Sequence, residues 1–254
     1  MFVGEERDLD KKLVSFFCVN QTTGKVHWQN ISFDEPWWIG IEAVHRDMVF
    51  LHGFAKPDMP DHKRIIALDL RTGHVAWQND YLRFVLAVED SVFASKDTAN
   101  GRIVLELDRQ TGSPLRSLEN VPGVFSSAKS DVRASMNEDI EFPHSLGASH
   151  GSDEPVMTLV YEHCTSEDIV GPFEVIEKNG FLFFSCHEKC NSGGQLKNTL
   201  KVVDPLGGQL VFTETLDKNL RGVISDSFFV GRGMLYFVKD RSALTGVNIA
   251  DLKA

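Results

Sequence analysis

The sequence predicts an all-β protein assembled from repeated four-stranded antiparallel sheets. Three observations carry this expectation. The first is a recurring phrase: an apolar run ends in Asp or Asn, a glycine follows four residues later, and a second apolar stretch begins. It occurs as FFCVNQTTGKVHWQN, IIALDLRTGHVAWQN, IVLELDRQTGSPLRSL and LKVVDPLGGQLVFTE, which places the pairs at Asn20/Gly24, Asp69/Gly73, Asp108/Gly112 and Asp204/Gly208. The glycine suits a positive-φ turn position, and the Asx oxygen can accept from turn amides. A hairpin repeated in this way is the mark of a repeat architecture. The second observation is that the runs between turn residues alternate with period two or are continuously apolar. The third is the lack of any segment with a 3.6-residue apolar period capped at both ends, so no long helix is expected.

Taken in order, the chain opens with FVGEERD, LVSFFCVN and KVHWQN, a unit that starts without a first strand. IGIEAVHRD, MVFLHGF, KRIIALDL and HVAWQND form the complete second unit, and RFVLAVED, SVFASKD, RIVLELD and SPLRSL the third. Residues 121–155 are rich in Ser and Gly and read as a loop-rich insertion or a degenerate blade, after which PVMTLVYEH (Pro155 to His163) reads as one strand. FEVIEKNG, FLFFSCHEK, NTLKVVD and QLVFTE make a further unit. GVISDSFFVG, MLYFVKD and ALTGVNI make a last one that stops short of a fourth strand. The repeat glycines are 49, 39 and 96 residues apart, which gives five clear units and a sixth in question. Complementary deficits at the two ends fit a ring in which the termini meet and share a sheet, protecting edges that would otherwise lie open. The expected fold is therefore a β-propeller of about five or six four-stranded blades, residues 1–254 forming one domain closed by its two termini.

Composition narrows the partners. There are 36 acidic and 26 basic residues, for a formal charge of -10, which repels phosphate backbones and anionic headgroups. Nucleic acid and membrane are therefore not expected partners. No apolar run is long enough for a membrane-spanning helix, and MFVGEERDLDKK is charged where a secretory signal has its apolar core, so the expected location is the cytoplasm. Four cysteines do not make a disulfide framework in a chain of 254 residues. Eighteen phenylalanines against three tyrosines point to rings stored in dry layers between sheets.

With these residues in view, the chain resembles the quinoprotein-type β-propeller repeat, in which the third strand of a blade ends in Asp-x-x-Thr-Gly and the fourth carries a tryptophan. IALDLRTGHVAW matches the pattern closely, VNQTTGKVHW well but with Asn20 in place of Asp, LELDRQTG in part, and VVDPLGGQLVF only in its Asp and Gly. The resemblance implies that Trp28 and Trp77 dock against a neighbouring blade. Arg116 and Phe212 stand at the corresponding places of the other two copies, so tryptophan docking is not general here. Quinone chemistry is not implied, because the chain lacks the adjacent cysteines of those enzymes and has too few units. No cofactor is expected. The whole chain, including EPWWIGIEAVHRD and HGFAKPDMPDHKRIIALD, also resembles a family of uncharacterised bacterial propeller-like proteins with no assigned function.

Three places could hold chemistry. HGFAKPDMPDHKR brings His52, Asp58, Asp61 and His62 into one proline-stiffened loop, a set able to bind a metal or to act as acid and base, although solvated connections of this kind are common. Trp37 and Trp38 are adjacent, and period-two geometry would point one ring at the core and the other at a ligand or partner. CHEKC holds Cys186, His187 and Cys190, with His163 and Cys164 earlier in the chain. Structural zinc sites present two tight ligand pairs and here the second is missing, so a polar hairpin loop with free cysteines is the expectation. No nucleophile elbow, phosphate loop or dinucleotide fingerprint is present. The leading expectation is a non-catalytic scaffold that binds a protein or a small ligand on the loops of one face or in its central funnel. The alternative is a metal binder or metal-dependent enzyme using loop 52–62 or the Cys/His residues 163–190.

Overall fold

The computed structural model describes residues 1–54, 62–118, 140–146, 154–164, 168–190 and 194–252. Within them the chain is all-β, with five antiparallel sheets, and it divides into two compact units, Met1–Ser135 and Met136–Ala254. The first unit contains three sheets, each a simple meander. The first comprises β1 (Phe2–Asp8), β2 (Leu13–Val19) and β3 (Val26–Ile31). The second comprises β4 (Ile39–His45), β5 (Met48–Phe54), β6 (His62–Asp69) and β7 (Val75–Asn79). The third comprises β8 (Arg83–Val88), β9 (Ser91–Thr98), β10 (Gly101–Asp108) and β11 (Pro114–Leu118).

The runs MVFL and IIAL are continuously apolar because both faces of the second sheet are covered. Val49, Leu51, Ile66 and Leu68 pack with Val14, Phe16, Cys18 and Trp28 of the first sheet. Their chain neighbours Met48, Phe50, Ile65 and Ala67 pack on the opposite face with Val92, Ala94 and Leu107 of the third. Strand alternation thus feeds two separate apolar layers from one stretch of sequence.

The recurring phrase forms a turn in which the Asx side chain replaces missing backbone partners. Asn20 Oδ1 accepts from the amides of Thr22 and Thr23 at 3.0 and 2.9 Å. Asp69 Oδ1 accepts from the amides of Arg71 and Thr72 and from the Thr72 hydroxyl. The hydroxyl and amide of Thr72 hold this carboxyl below its ordinary pKa, as those of Thr111 do for Asp108. In all four copies the glycine amide donates to the Asx carbonyl, and Gly24, Gly73, Gly112 and Gly208 have φ between 65 and 73°. A β-bulge follows at the same place each time. Cys18 faces Trp28 while Val19 faces Val26, leaving His27 as the extra residue, and the same step leaves out Ala76, Leu115 and Val211. The extra residue re-aims the side chain after it. That next position holds Trp28, Trp77, Arg116 and Phe212.

Two of these side chains lock neighbouring sheets together. Trp28 Nε1 donates to the Leu70 carbonyl at 2.9 Å, and Trp77 Nε1 donates to the Arg109 carbonyl at 2.8 Å. Each acceptor is the residue after the Asx in the next sheet's turn. The amides of Leu70 and Arg109 in turn donate to the carbonyls of Asp47 and Asp90, so the buried backbone is satisfied on both sides. The indoles also lie against the glycines. A Cβ at Gly73 would come within 2.9 Å of the Trp28 ring and one at Gly112 within 2.6 Å of the Trp77 ring, whereas one at Gly24 or Gly208 would meet nothing within 4 Å.

In the second unit, β12 (Ile140–Glu141) and β13 (His144–Leu146) come first, followed by helix α1 (Glu154–Glu162). Then come β14 (Phe173–Lys178), β15 (Phe181–Lys189), β16 (Leu196–Asp204), β17 (Gln209–Leu220), β18 (Phe228–Gly231), β19 (Met234–Lys239) and β20 (Ala243–Asn248). They form a five-stranded sheet, β13-β14-β15-β16-β17, and a four-stranded one, β12-β18-β19-β20. Ile176, Phe183, Leu200 and Val202 face Phe228, Val230, Leu235 and Phe237 across the gap between these sheets. On the other side of the larger sheet, Val175, Phe184, Cys186 and Val203 pack with Leu146 and with Val160 of α1.

Several expectations are corrected here. Pro155 to His163 is not a strand: it falls in and just after α1. A short apolar run satisfies either period. Pro155 lies in the first turn, where an amide has no intrahelical partner to lose, and Val160 is buried while Thr158, Tyr161 and Glu162 are exposed. The stretch expected as loop contains β12 and β13, while residues 119–139 and 147–153 lie outside the described ones. In GVISDSFFVG only Phe228–Gly231 is strand. Its approach is bent at Asp226, with φ of 55°, where the amides of Asp226 and Ser227 donate to the buried carboxylate of Glu174. The chain ends do not share a sheet among the described residues. Ile140–Glu141 joins the last sheet at its other edge, beside β18, so among the described residues no strand lies beyond β20, and the first sheet has three strands.

The interlock separates two glycine substitutions of equal backbone strain. Gly24→Ala should cost about 1–2 kcal/mol, the left-handed backbone penalty alone. Gly73→Ala should cost about 2–5 kcal/mol, because overpacking against Ile31 and Trp28 adds to that penalty. Trp77→Ala should cost about 3–5 kcal/mol as a large-to-small change. Urea unfolding of the three variants measures all of these, and equal losses for both glycines would remove the packing role of Gly73.

Candidate functional site

The second sheet brings two of the sequence candidates face to face. On β5, His52 pairs across the sheet with Gly40 of β4, and a Cβ at Gly40 would come within 3.3 Å of the His52 ring. A bulge between Ile41 and Ala43 makes Glu42 the extra residue of β4, and its carboxylate reaches the imidazoles. His62, at the start of β6, pairs with Phe54 at the end of β5. The rings of His52 and His62 stack with centroids 3.5 Å apart and planes 5° from parallel. Both Nδ1 atoms approach one oxygen, Glu42 Oε2. His62 hydrogen-bonds to it at 2.8 Å, while His52 Nδ1 lies 3.0 Å away without a hydrogen-bonding approach to it or to any other atom of the described residues.

Aromatic rings close one side of this cluster. Phe54 presents its edge to His52 at 5.1 Å and to His62 at 5.2 Å, and Trp38 meets Phe54 at 5.8 Å. His52 is 7% exposed, and Glu42 and His62 are half-buried. Burial opposes ionisation of Glu42, but the two imidazoles outweigh it and hold the carboxyl below its usual range. The cluster therefore sets an anionic oxygen between two ring nitrogens, which are ligand types for zinc-like cations. Among the described residues it is the one group of three His, Cys, Asp or Glu side chains whose ligand atoms all lie within 4.8 Å of one another. Asp58 and Asp61 lie outside the described residues.

Trp37 and Trp38 lie in the loop before β4, so strand alternation does not set their directions. The Glu35 carboxylate accepts from both of their amides, at 3.0 and 2.8 Å. Both rings are half-buried. Trp38 turns to Phe54, while Trp37 lies under two cations, with Lys12 Nζ 4.7 Å and Arg7 Cζ 5.0 Å from its ring centre. The sequence reading passed over Glu42 and Phe54. A charged residue inside the apolar strand IGIEAVH, on the same side as Gly40, was the available signal for Glu42.

The residues of CHEKC do not converge. Alternation along β15 sends Cys186 toward α1 and His187 toward the facing four-stranded sheet. Cys186 Sγ lies 3.9 Å from Cys164 Sγ, whereas Cys190 Sγ donates to the Lys218 carbonyl. His163 Nε2 meets the Gly208 carbonyl at 3.0 Å. His187 is buried; its Nε2 accepts from the Ile224 amide at 3.3 Å, and its Nδ1 has no partner among the described residues.

Residues 1–77 match a family described as a domain of unknown function, DUF4905. No curated protein matches the chain. Among solved structures, TolB from Acinetobacter baumannii is 10% identical with a TM-score of 0.30, over 96% of this chain and 62% of TolB. This chain thus spans less than two thirds of that protein. A DUF4221 member from Bacteroides vulgatus is 11% identical, with a TM-score of 0.21 over 94% of this chain and 74% of that one. An exo-1,5-alpha-L-arabinanase from a bovine ruminal metagenomic library is also 11% identical, with a TM-score of 0.18 over 92% and 84%. None of the three is close enough to transfer fold or chemistry. No helix among the described residues is long and apolar enough to cross a membrane.

Burial depresses the pKa of His187, with the nearby Glu174 carboxylate opposing it. The folded state therefore binds fewer protons than the unfolded one below the ordinary histidine pKa. This contribution is complete above that value and is lost as pH falls toward the depressed one, at no more than about 1.4 kcal/mol per pH unit for one proton. Subtracting the stability of a His187→Gln variant from that of the parent, pH by pH, should leave a difference that shrinks on acidification. A flat difference would contradict the burial effect.

Proposed function

We propose that the chain is a β-propeller-type binding protein, residues 1–254 forming one ring with a blade for each of the five sheets. Its ligand is a divalent transition-metal cation of the zinc class held by Glu42, His52 and His62. Support for the blades comes from the repeated meander and from the two tryptophan joints of the first unit. The observation that carries the metal reading is the convergence of both Nδ1 atoms on one carboxylate oxygen, with His52 Nδ1 buried and without a hydrogen bond among the described residues. An unsatisfied buried imidazole nitrogen costs free energy, and coordination would supply the partner it lacks.

The geometry sets what binding requires. Tetrahedral zinc with ligand bonds near 2.0–2.1 Å holds its ligand atoms about 3.3–3.4 Å apart. The present nitrogen–oxygen separations of 2.8 and 3.0 Å would open by about half an ångström. Parallel rings aim their in-plane lone pairs side by side, so the imidazoles would also fan apart about the cation. In this reading His52 and His62 bind as neutral imidazoles, Glu42 supplies compensating charge, and Phe54 and Trp38 form a dry wall. Three protein ligands leave a position for a small donor ligand. The role is binding; no residue here is assigned a catalytic step.

Dialysis against zinc followed by metal analysis should leave about one equivalent per chain, the count for a single three-ligand site. Glu42→Gln and His62→Ala should each weaken binding at least about tenfold, while His74→Ala, at an exposed residue in the turn between β6 and β7, should not. Folded parent protein that retains no zinc, or binding that survives both site variants, would overturn the assignment.

A further inference from the structure

The Cys164–Cys186 contact belongs to neither the repeat nor the proposed metal site. Cys164 lies just past the end of α1, where the last turn tightens: the amides of His163 and Cys164 donate to Val160 and Tyr161, each three residues back. Two anchors fix this end. Lys201 Nζ donates to the His163 carbonyl, and the His163 ring meets the Gly208 carbonyl. Cys186, on β15, lies wholly inside the apolar layer beneath the helix. Its sulfur is 3.9 Å from that of Cys164, whose thiol donates to it while both are protonated. All four cysteines are reduced in this structure.

We propose that Cys164 and Cys186 are a modification site, a thiol pair that peroxide converts to a reversible disulfide. Cys164 reacts first because it is the partly exposed member of the pair. Its thiol is also the more acidic one: the Cys186 hydrogen bond stabilises the thiolate, and burial opposes this less strongly than the hydrogen bond and nearby Lys201 support it. The Cys186 thiol is pushed up by its thiolate neighbour and by burial, so it stays protonated and waits. The Cys164 thiolate attacks one oxygen of hydrogen peroxide; an S–O bond forms, the O–O bond breaks, and hydroxide leaves. Cys186 sulfur then attacks the sulfenic sulfur. The S–S bond forms, the S–O bond breaks, the Cys186 proton is lost, and the oxygen departs as water. Overall, two thiols and one peroxide give one disulfide and two waters. A dithiol reductant returns the pair by thiol–disulfide exchange. The sulfurs must close by about 1.9 Å to reach bonding distance, a movement within reach because Cys164 lies outside any regular element.

This proposal is independent of the metal reading. The full chain is treated with a small excess of hydrogen peroxide near neutral pH, its remaining thiols are blocked with a maleimide, and it is digested for mass analysis. Expected is a peptide pair joined through Cys164 and Cys186, absent after dithiothreitol, with Cys18 and Cys190 still blocked by maleimide. In the untreated native protein Cys164 should react with maleimide at least about tenfold faster than Cys186, since access and thiolate character set thiol reactivity. A Cys186→Ser variant should trap sulfenic acid at Cys164, detectable with dimedone, while Cys190→Ser should behave as the parent. Both thiols surviving peroxide, a Cys186–Cys190 linkage, or oxidation of Cys164 to sulfinic acid without a cross-link would each overturn the assignment.

Discussion

The indole of one sheet seated on the Asx-Gly turn of the next is the contact on which the first unit depends. Trp28 bonds to the Leu70 carbonyl and lies over Gly73, and Trp77 bonds to the Arg109 carbonyl and lies over Gly112. Each turn therefore meets three demands at once. Its glycine adopts positive φ, its Asx side chain replaces absent backbone partners, and its flat top receives a ring. Because the second sheet supplies the turn of one joint and the tryptophan of the other, it is held on both sides, and both its faces are apolar. Glu42, His52 and His62 stand on strands of that same sheet. A site built on rigid, doubly supported strands keeps its side chains closer to one geometry than a site built on a loop.

Much of this was legible in the sequence, because the turn chemistry is local. Asn20, Asp69, Asp108 and Asp204 sit four residues before a glycine whose conformation few other residues tolerate, and such a signal survives without tertiary information. The bulge three residues after each glycine was not legible, since one unpaired residue in a strand leaves no mark on composition. Its consequence, which side chain is re-aimed at the neighbouring sheet, was visible only as the tryptophan of the family resemblance. Pro155 to His163 was misread because a short apolar run satisfies both helical and strand periods, and the covering partner that decides between them lies across the sheet.

The candidate sites divide along the same line. His52 and His62 could be singled out by type and nearness in the chain, but Glu42 enters only through a bulge in a different strand. CHEKC shows the opposite error of nearness. Adjacent residues of a strand face opposite ways, so Cys186 finds its sulfur partner in Cys164, 22 residues earlier, while His187 turns into the other layer. Sequence spacing locates donors for a loop or a helix, whereas on a strand the pairing register decides which donors meet.

The central claim is that the two indoles are structural joints, and their own N–H groups report on it. Nitrogen-15 labelling of tryptophan and hydrogen exchange followed by NMR would resolve the Nε1–H of Trp28 and Trp77. Buried bonds to the Leu70 and Arg109 carbonyls should make both protons exchange only through unfolding of the sheets, slowing them by orders of magnitude relative to a free indole. Exchange of either proton at the rate of a solvent-exposed indole would contradict the interlock at that joint.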